Sequence, residues 1–165
     1  MANTIQNLFP ATQNKGVDFV VQPRFVEFSA PIIGGQYVFS ESTTPAVVFG
    51  KLPQGQTGII AGVMISANCE NSQFTRALSE PLELQILHGG NNTPVNISPF
   101  SFTEFSQGDN FSLQWAITSA STLQEEDFKL SIRGKVDQLT GMTQNELILK
   151  ITFNFIRVGS KNLRG

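Results

Sequence analysis

Residues that could perform chemistry are scarce in this sequence, and none of them forms a recognisable motif. His88 is the only histidine and Cys69 the only cysteine. A Ser-His-Asp or Cys-His device would need that histidine, but no Gly-x-Ser-x-Gly turn or activated-cysteine signature marks a nucleophile. We interpret His88 as a strand-end residue and Cys69 as a small buried apolar residue. We therefore expect no catalytic residue and predict that the protein is not an enzyme.

Sites for metals and cofactors are not indicated either. One histidine and one cysteine cannot build a zinc site. The acidic run 125–127 lacks the ligand spacing of a calcium loop, so we interpret it as a solvated turn. Residues 51–57 include a glycine but do not follow the phosphate-loop pattern. A facing pair of glycosidase carboxylates stays open, although no spacing marks one. We predict no cofactor-binding residue and no metal ligand.

The composition points to a surface that carries little charge. Charged residues make up 15% of the 165-residue chain, against about 25% in ordinary soluble domains. Neutral side chains fill the polar role, with 12 Asn, 13 Gln, 14 Ser and 13 Thr. Interface cores are depleted in charge, because burying an ion costs more than burying an amide that finds a partner. We favour an interface protein over the alternative, a quirk of the host's codon usage.

The overall charge does not favour a nucleic-acid partner. The net charge is −2, which is not the basic balance of a nucleic-acid-binding domain. Arg157, Lys161 and Arg164 lie near the C-terminus and could touch nucleic acid, anionic lipid or an acidic neighbour. So few charges are typical of a solvated terminus, and we expect no specific nucleic acid among the partners.

Phenylalanine dominates the aromatic residues, with 14 Phe against one Tyr and one Trp. Phe has no polar group, so it fills dry cores and dry subunit contacts, whereas open binding sites prefer Tyr and Trp. Tyr37 and Trp115 are therefore the two Tyr/Trp candidates for a platform on which a sugar could stack. Trp115 lies on the apolar face of its predicted strand, where we expect it to be buried.

Short runs with period-two alternation, separated by turn residues, predict a series of β-strands. Pro23 cannot donate to a ladder, so we expect it to break the first strand and to mark an edge or a bulge. Residues 57–67 are apolar on both faces, which predicts a strand covered on both sides. The expected faces of that strand are Ile59, Val63 and Ile65 on one side and Ile60 and Met64 on the other.

Two short helical segments interrupt the predicted strands. Residues 71–79 favour a helix with Asn71 as its N-cap. The sequence Thr-Leu-Gln-Glu at 122–125 fits a capping box, which predicts one further helical turn.

The strand pattern predicts an all-β fold. Eight or nine strands, each apolar on one face, favour a two-sheet antiparallel β-sandwich, and the count fits a single jelly roll. An immunoglobulin-like sandwich is the rival, but it usually closes in ~100 residues. We divide the chain into an extended N-terminal arm at 1–16, the β-sandwich (jelly-roll) domain at 17–158 and a C-terminal tail at 159–165. We expect no signal peptide and no membrane span.

The strands at 111–118, 128–136 and 146–158, together with the polar arm and the short tail, resemble the single jelly-roll capsid proteins of icosahedral viruses. The resemblance is greatest to the penton or minor capsid subunits of tailless, membrane-containing bacteriophages. It covers the whole chain in outline and assigns no functional residue.

That resemblance implies a structural protein of the virion, assembled in the host cytoplasm. Its expected partners are copies of itself, as a pentamer at a vertex, and neighbouring major capsid proteins. A spike protein or an internal membrane is a further partner in such families. The chain is short for a major capsid protein with two barrels, which favours the vertex role. The alternatives are a carbohydrate-binding β-sandwich module and a structural component of a phage tail or baseplate.

Overall fold

A computed structural model describes residues 17–52, 56–78, 80, 82–89, 93–94, 100–101, 115–118 and 127–160. Its strands are β1 (Val17–Ile33), β2 (Gln36–Phe39), β3 (Val47–Lys51), β4 (Thr57–Ala67), β5 (Glu83–His88), β6 (Thr93–Pro94), β7 (Phe100–Ser101), β8 (Trp115–Thr118), β9 (Asp127–Asp137) and β10 (Glu146–Ser160). One short helix, α1 (Asn71–Ala77), follows β4. The prediction of a mainly antiparallel β protein is confirmed. The predicted arm at 1–16, the capping box at 122–125 and residues 161–165 lie outside the described residues.

All pairings among the described strands are antiparallel. β1 pairs with β10, β10 with β4, and β4 with β8. β9 pairs with β5 on one side and with β2 and β3 on the other, and β5 also pairs with β6 and β7. The end of β1 joins these two groups because Ile32 and Ile33 pair with β2.

The last strand shows how the sequence pattern produces the core. From Leu147 to Phe155, alternate residues of β10 are buried and the residues between them are not, so one face of the strand contacts the apolar interior. Burying each such side chain stabilises the fold by roughly 1.5–3 kcal/mol. The buried residues of this face are Leu147, Leu149, Ile151, Phe153 and Phe155.

Phe155 lies at the centre of this core, between two glycines. Its ring stands edge-on to Phe49 of β3 at 5.4 Å. A β-carbon at Gly50 of β3 or at Gly58 of β4 would approach the Phe155 ring to 2.9 Å. The bare glycine backbones therefore make room for the ring, and they bring β3 against β10.

β4 contains a bulge that the alternation did not predict. Thr152 pairs with Met64 but Asn154 pairs with Ala61, so Gly62 and Val63 together oppose Phe153. Gly62 has φ +63, the left-handed conformation that glycine adopts readily and that begins this kind of bulge. One extra residue reverses the direction of every side chain that follows it.

The predicted faces of β4 are wrong for this reason. Ile60 shares the main core with Val63 and Ile65, while Ile59 lies in a separate cluster on the opposite side. The expected cover on both sides holds only at the start of the strand, because Met64 is 52% exposed.

β1 runs unbroken through Pro23, so the predicted break is wrong. On the β4 side of β10, the Ile148 N–H donates to the Asn68 side-chain oxygen and the Ile148 carbonyl accepts from the Asn68 N–H. Directly opposed residues of an antiparallel pair point their backbone groups either both toward each other or both away, so Ser29, opposite Ile148, turns its backbone groups away from β10. The Thr44 hydroxyl donates to the Ser29 carbonyl at 2.9 Å. Pro23 and Pro31 lie an even number of residues from Ser29, so their nitrogens also point away from β10 and no ladder hydrogen bond is lost. From 17 to 31, β1 has β10 as its one partner among the described strands. The predicted edge position of Pro23 is confirmed.

Two turns follow from local sequence. Gly34 and Gly35 both have positive φ and form the hairpin between β1 and β2. The helix α1 also forms where it was expected, but its N-cap is Glu70, and Asn71 is the first helical residue. Glu70 makes no capping hydrogen bond with its side chain.

Candidate interaction surface

His88 and Cys69, the single histidine and the single cysteine, are both partly or fully withdrawn from solvent. His88 is buried at the end of β5 and stacks on Phe128, with ring centroids 4.6 Å apart. Cys69 is half-buried, and burial raises the pKa of its thiol, which keeps the thiol protonated and less nucleophilic. The expected strand-end position of His88 is confirmed.

The two candidate sugar platforms differ in what the structure describes. Tyr37 is fully buried, and its hydroxyl donates to the Gln144 carbonyl at 2.8 Å. A phenol enclosed in this way offers no stacking surface. The backbone of Trp115 lies in β8, but its side chain is outside the described residues.

The acidic run 125–127 is represented by Asp127, which pairs with Lys51 at 3.7 Å. Its other two residues are not described. Among the described residues, no three His, Cys, Asp or Glu side chains lie close enough to hold a metal ion. Within the same part of the chain, no helix has the length and apolar character to cross a membrane.

One surface is distinctive, and we call it the outer face. It is the side of β1, β10 and β4 that points away from the Phe155 core. Directly paired residues form successive rows across these three strands. From the Val158 end the rows are Phe19–Val158–Thr57, Val21–Ile156–Ile59, Pro23–Asn154–Ala61, Phe25–Thr152–Met64 and Glu27–Lys150–Ser66.

The apolar content of this face changes along its length. Ile59, Ile156 and Val158 are 3–9% exposed and form a small second cluster. In the Phe25–Thr152–Met64 row, by contrast, Phe25 is 64% exposed and Met64 52%. The middle of the outer face is therefore apolar and open to solvent. Large exposed side chains in one row of a sheet are unusual enough to need a functional account.

A shallow depression lies between the two exposed side chains. Its volume is about 360 Å³, and its lining includes Pro23, Gly62, Thr152 and Asn154 as well as Phe25 and Met64. The bulge creates this space, because Gly62 has no side chain to fill it. The depression has the size and apolar rim to receive a side chain from another molecule.

A pair of opposite charges borders the depression. Lys150 lies 3.7 Å from Glu27, and both side chains are about half exposed. The Lys150 ammonium is also 5.1 Å from the centre of the Phe25 ring, within reach of a cation–π attraction. A positive and a negative group therefore lie side by side on adjacent strands.

Sequence reasoning predicted apolar residues on both faces of β4, but it missed the exposed row that β4 forms with β10 and β1. Two signals could have found it. Ile156 and Val158 are out of phase with Phe153 and Phe155, which indicates apolar residues on both sides of β10. Val26 and Phe28 are buried on the core face of β1, and Phe25, one residue before Val26, must therefore lie on the opposite face.

No protein-family model matches the chain, and no curated protein matches it significantly.

Proposed function

We propose that this chain is a structural subunit of a viral capsid, of the penton or minor capsid type, and that it acts by assembling with other subunits. The observation that carries the proposal is the exposed apolar centre of the outer face, Phe25 and Met64 on a sheet. Exposed apolar patches of this kind are typical of contact surfaces. The low charge of the chain supports the same conclusion, since charges are depleted where subunits meet.

The proposal includes a single jelly roll, and the strand order supports it. In an eight-stranded jelly roll, one sheet contains the first, eighth, third and sixth strands and the other the second, seventh, fourth and fifth. If β2 with β3 counts as one interrupted strand, and β6 with β7 as another, the chain has eight. The pairings then read β1-β10-β4-β8 and β2/β3-β9-β5-β6/β7, and their agreement with this order supports the proposed jelly roll.

Contacts between the two groups of strands support a sandwich. Phe49 of β3 meets Phe153 and Phe155 of β10 edge-on, each at 5.4 Å. Phe49 belongs to the group around β9, whereas Phe153 and Phe155 belong to the group around β10. Aromatic side chains that meet in this way fill the space between facing sheets.

The fold by itself does not decide the function, because jelly rolls also occur in lectins and enzymes. The burial of Tyr37 removes one of the two sugar platforms, and no cluster of acids or His88 partners forms a reactive site among the described residues. Assembly is the function that needs only a surface. The proposed partners are copies of the chain, as a pentamer, neighbouring major capsid proteins, and a spike protein or internal membrane at the vertex of the virion.

Negative-stain imaging of the purified protein tests this proposal. We expect closed rings with five-fold symmetry, because one repeated head-to-tail contact closes into a ring. Rings of three or six subunits would instead support a tail or baseplate component. Particles that remain single molecules at high concentration, together with absence from virions, would refute the proposal.

A further inference from the structure

The outer face has the features of a surface that binds its own copy. Its exposed apolar centre is flanked by a cation and an anion on adjacent strands, Lys150 on β10 and Glu27 on β1. A surface that carries both charges side by side is self-complementary, since a second copy can present each charge to its opposite.

We propose that two copies of the chain pack outer face to outer face about a two-fold axis that runs parallel to the strands, between β1 and β10. This inference rests on the proposed function, because it names the surface through which an assembling subunit meets a second copy. A ring needs a different, head-to-tail contact, so the two-fold contact is an additional interface.

The register of β1 and β10 determines what such an axis brings together. Rotation about it exchanges the positions of directly paired residues, which are Glu27 with Lys150 and Phe25 with Thr152. Each Lys150 then faces Glu27 of the second copy, so two ion pairs form across the interface. Each Phe25 ring lies over Thr152 of the second copy, where the depression of about 360 Å³ is found.

The size of the contact predicts its strength. β1 and β10 pair from Val17 to Pro31, which is about 50 Å of strand at ~3.3 Å per residue. Two strands ~4.8 Å apart give roughly 500 Å² per copy, below the ~800 Å² of a standard stable interface. The contact is therefore weak for an isolated pair and becomes effective when several act together in an assembly.

Charge reversal tests the proposed pairing directly. Lys150→Glu leaves two acids on the face and Glu27→Lys leaves two cations, so each variant alone places four like charges together. We expect each variant to self-associate about tenfold more weakly than the wild type at low salt. A one-to-one mixture of the two variants should regain the wild-type association in sedimentation velocity. Both variants lack the pair within the chain, so recovery on mixing can only come from contacts between molecules.

The chain offers matched controls for this experiment. Lys51 and Asp127 form another exposed pair at the same distance, 3.7 Å, so Lys51→Glu and Asp127→Lys should leave association unchanged. Phe25→Ser should weaken association, whereas Ile33→Ser, at a residue 53% exposed outside the depression, should not.

The possible results separate the two proposals. Wild-type association that neither the outer-face reversals nor Phe25→Ser change, with no effect of mixing, overturns the two-fold contact and leaves the capsid proposal standing. A wild-type protein that stays monomeric up to the highest concentration overturns the two-fold contact, and its absence from virions as well would overturn the capsid proposal.

Discussion

Some neutral amides of this chain make hydrogen bonds to its own backbone. Asn68 accepts from the Ile148 N–H and donates to the Glu146 carbonyl, and so extends the pairing of β4 with β10 beyond Ala67. Gln144 donates to the Asn68 carbonyl at 2.9 Å. An amide can replace a backbone group in this way because it carries both a donor and an acceptor. Intramolecular hydrogen bonds therefore account for part of the high Asn and Gln content. We attribute the other part to the proposed interfaces.

Tyr37 should make the stability of the protein fall at high pH. Burial raises the pKa of Tyr37 above its usual value of about 10, so the folded state holds its proton more tightly than the unfolded state. This contribution is complete below pH ~10 and is lost as the pH rises toward the folded pKa. Tyrosinate absorbance reports the titration cleanly, because Tyr37 is the only tyrosine.

The Tyr37→Phe variant provides the control. It should lose roughly 1 kcal/mol at neutral pH, since the bond to the Gln144 carbonyl disappears. Between pH 9 and 11 the free energy of unfolding of Tyr37→Phe should decline less than that of the wild type, because the variant has no Tyr37 hydroxyl to ionise. A native Tyr37 that ionises at pH ~10, as a free phenol does, would contradict the account.

At the scale of the elements, alternation predicted most strands, and the structure confirms them where it describes the chain. The core face of β10 and the apolar face of β9, with Phe128, Leu130, Ile132 and Val136, follow directly from period two. The faces of β4 were not predictable in this way. Gly62 inside the strand was the available signal for a bulge, but the pairing with β10 that shows the bulge cannot be read from β4 alone.

Substitution of Gly62 tests the bulge. Gly62→Ala places a side chain at φ +63, which costs about 1–2 kcal/mol because the β-carbon crowds the carbonyl. Urea denaturation should show this loss. Gly62→Asn should lose less, since asparagine tolerates the left-handed conformation better than alanine. Equal stability of the alanine variant and the wild type would show that the bulge does not require glycine.

Substitution of Gly58 tests the packing around Phe155. Gly58→Ala puts a β-carbon 2.9 Å from the Phe155 ring, so the core is overpacked and should lose roughly 1–3 kcal/mol. Adding Phe155→Leu to this variant should cost less than it does in the wild type, because the smaller side chain relieves the crowding. Strict additivity of the two substitutions in thermal unfolding would argue against a direct contact.

At the scale of the whole molecule, the sequence predicted a β protein but not its pairing. β1 pairs with β10 at the other end of the chain, Val17 with Ser160, and no local pattern specifies so distant a partner. The outer face was missed for the same reason, since its rows exist only once β1, β10 and β4 are side by side.

We propose that the sheet surface of this chain binds other copies of the chain. Sedimentation velocity of the purified protein, over a concentration series at low and high salt, measures this property most directly. We predict species whose masses are multiples of 18.1 kDa. The fraction of larger species should rise with protein concentration and should fall in high salt. A single 18.1 kDa species at every concentration and salt would contradict the account.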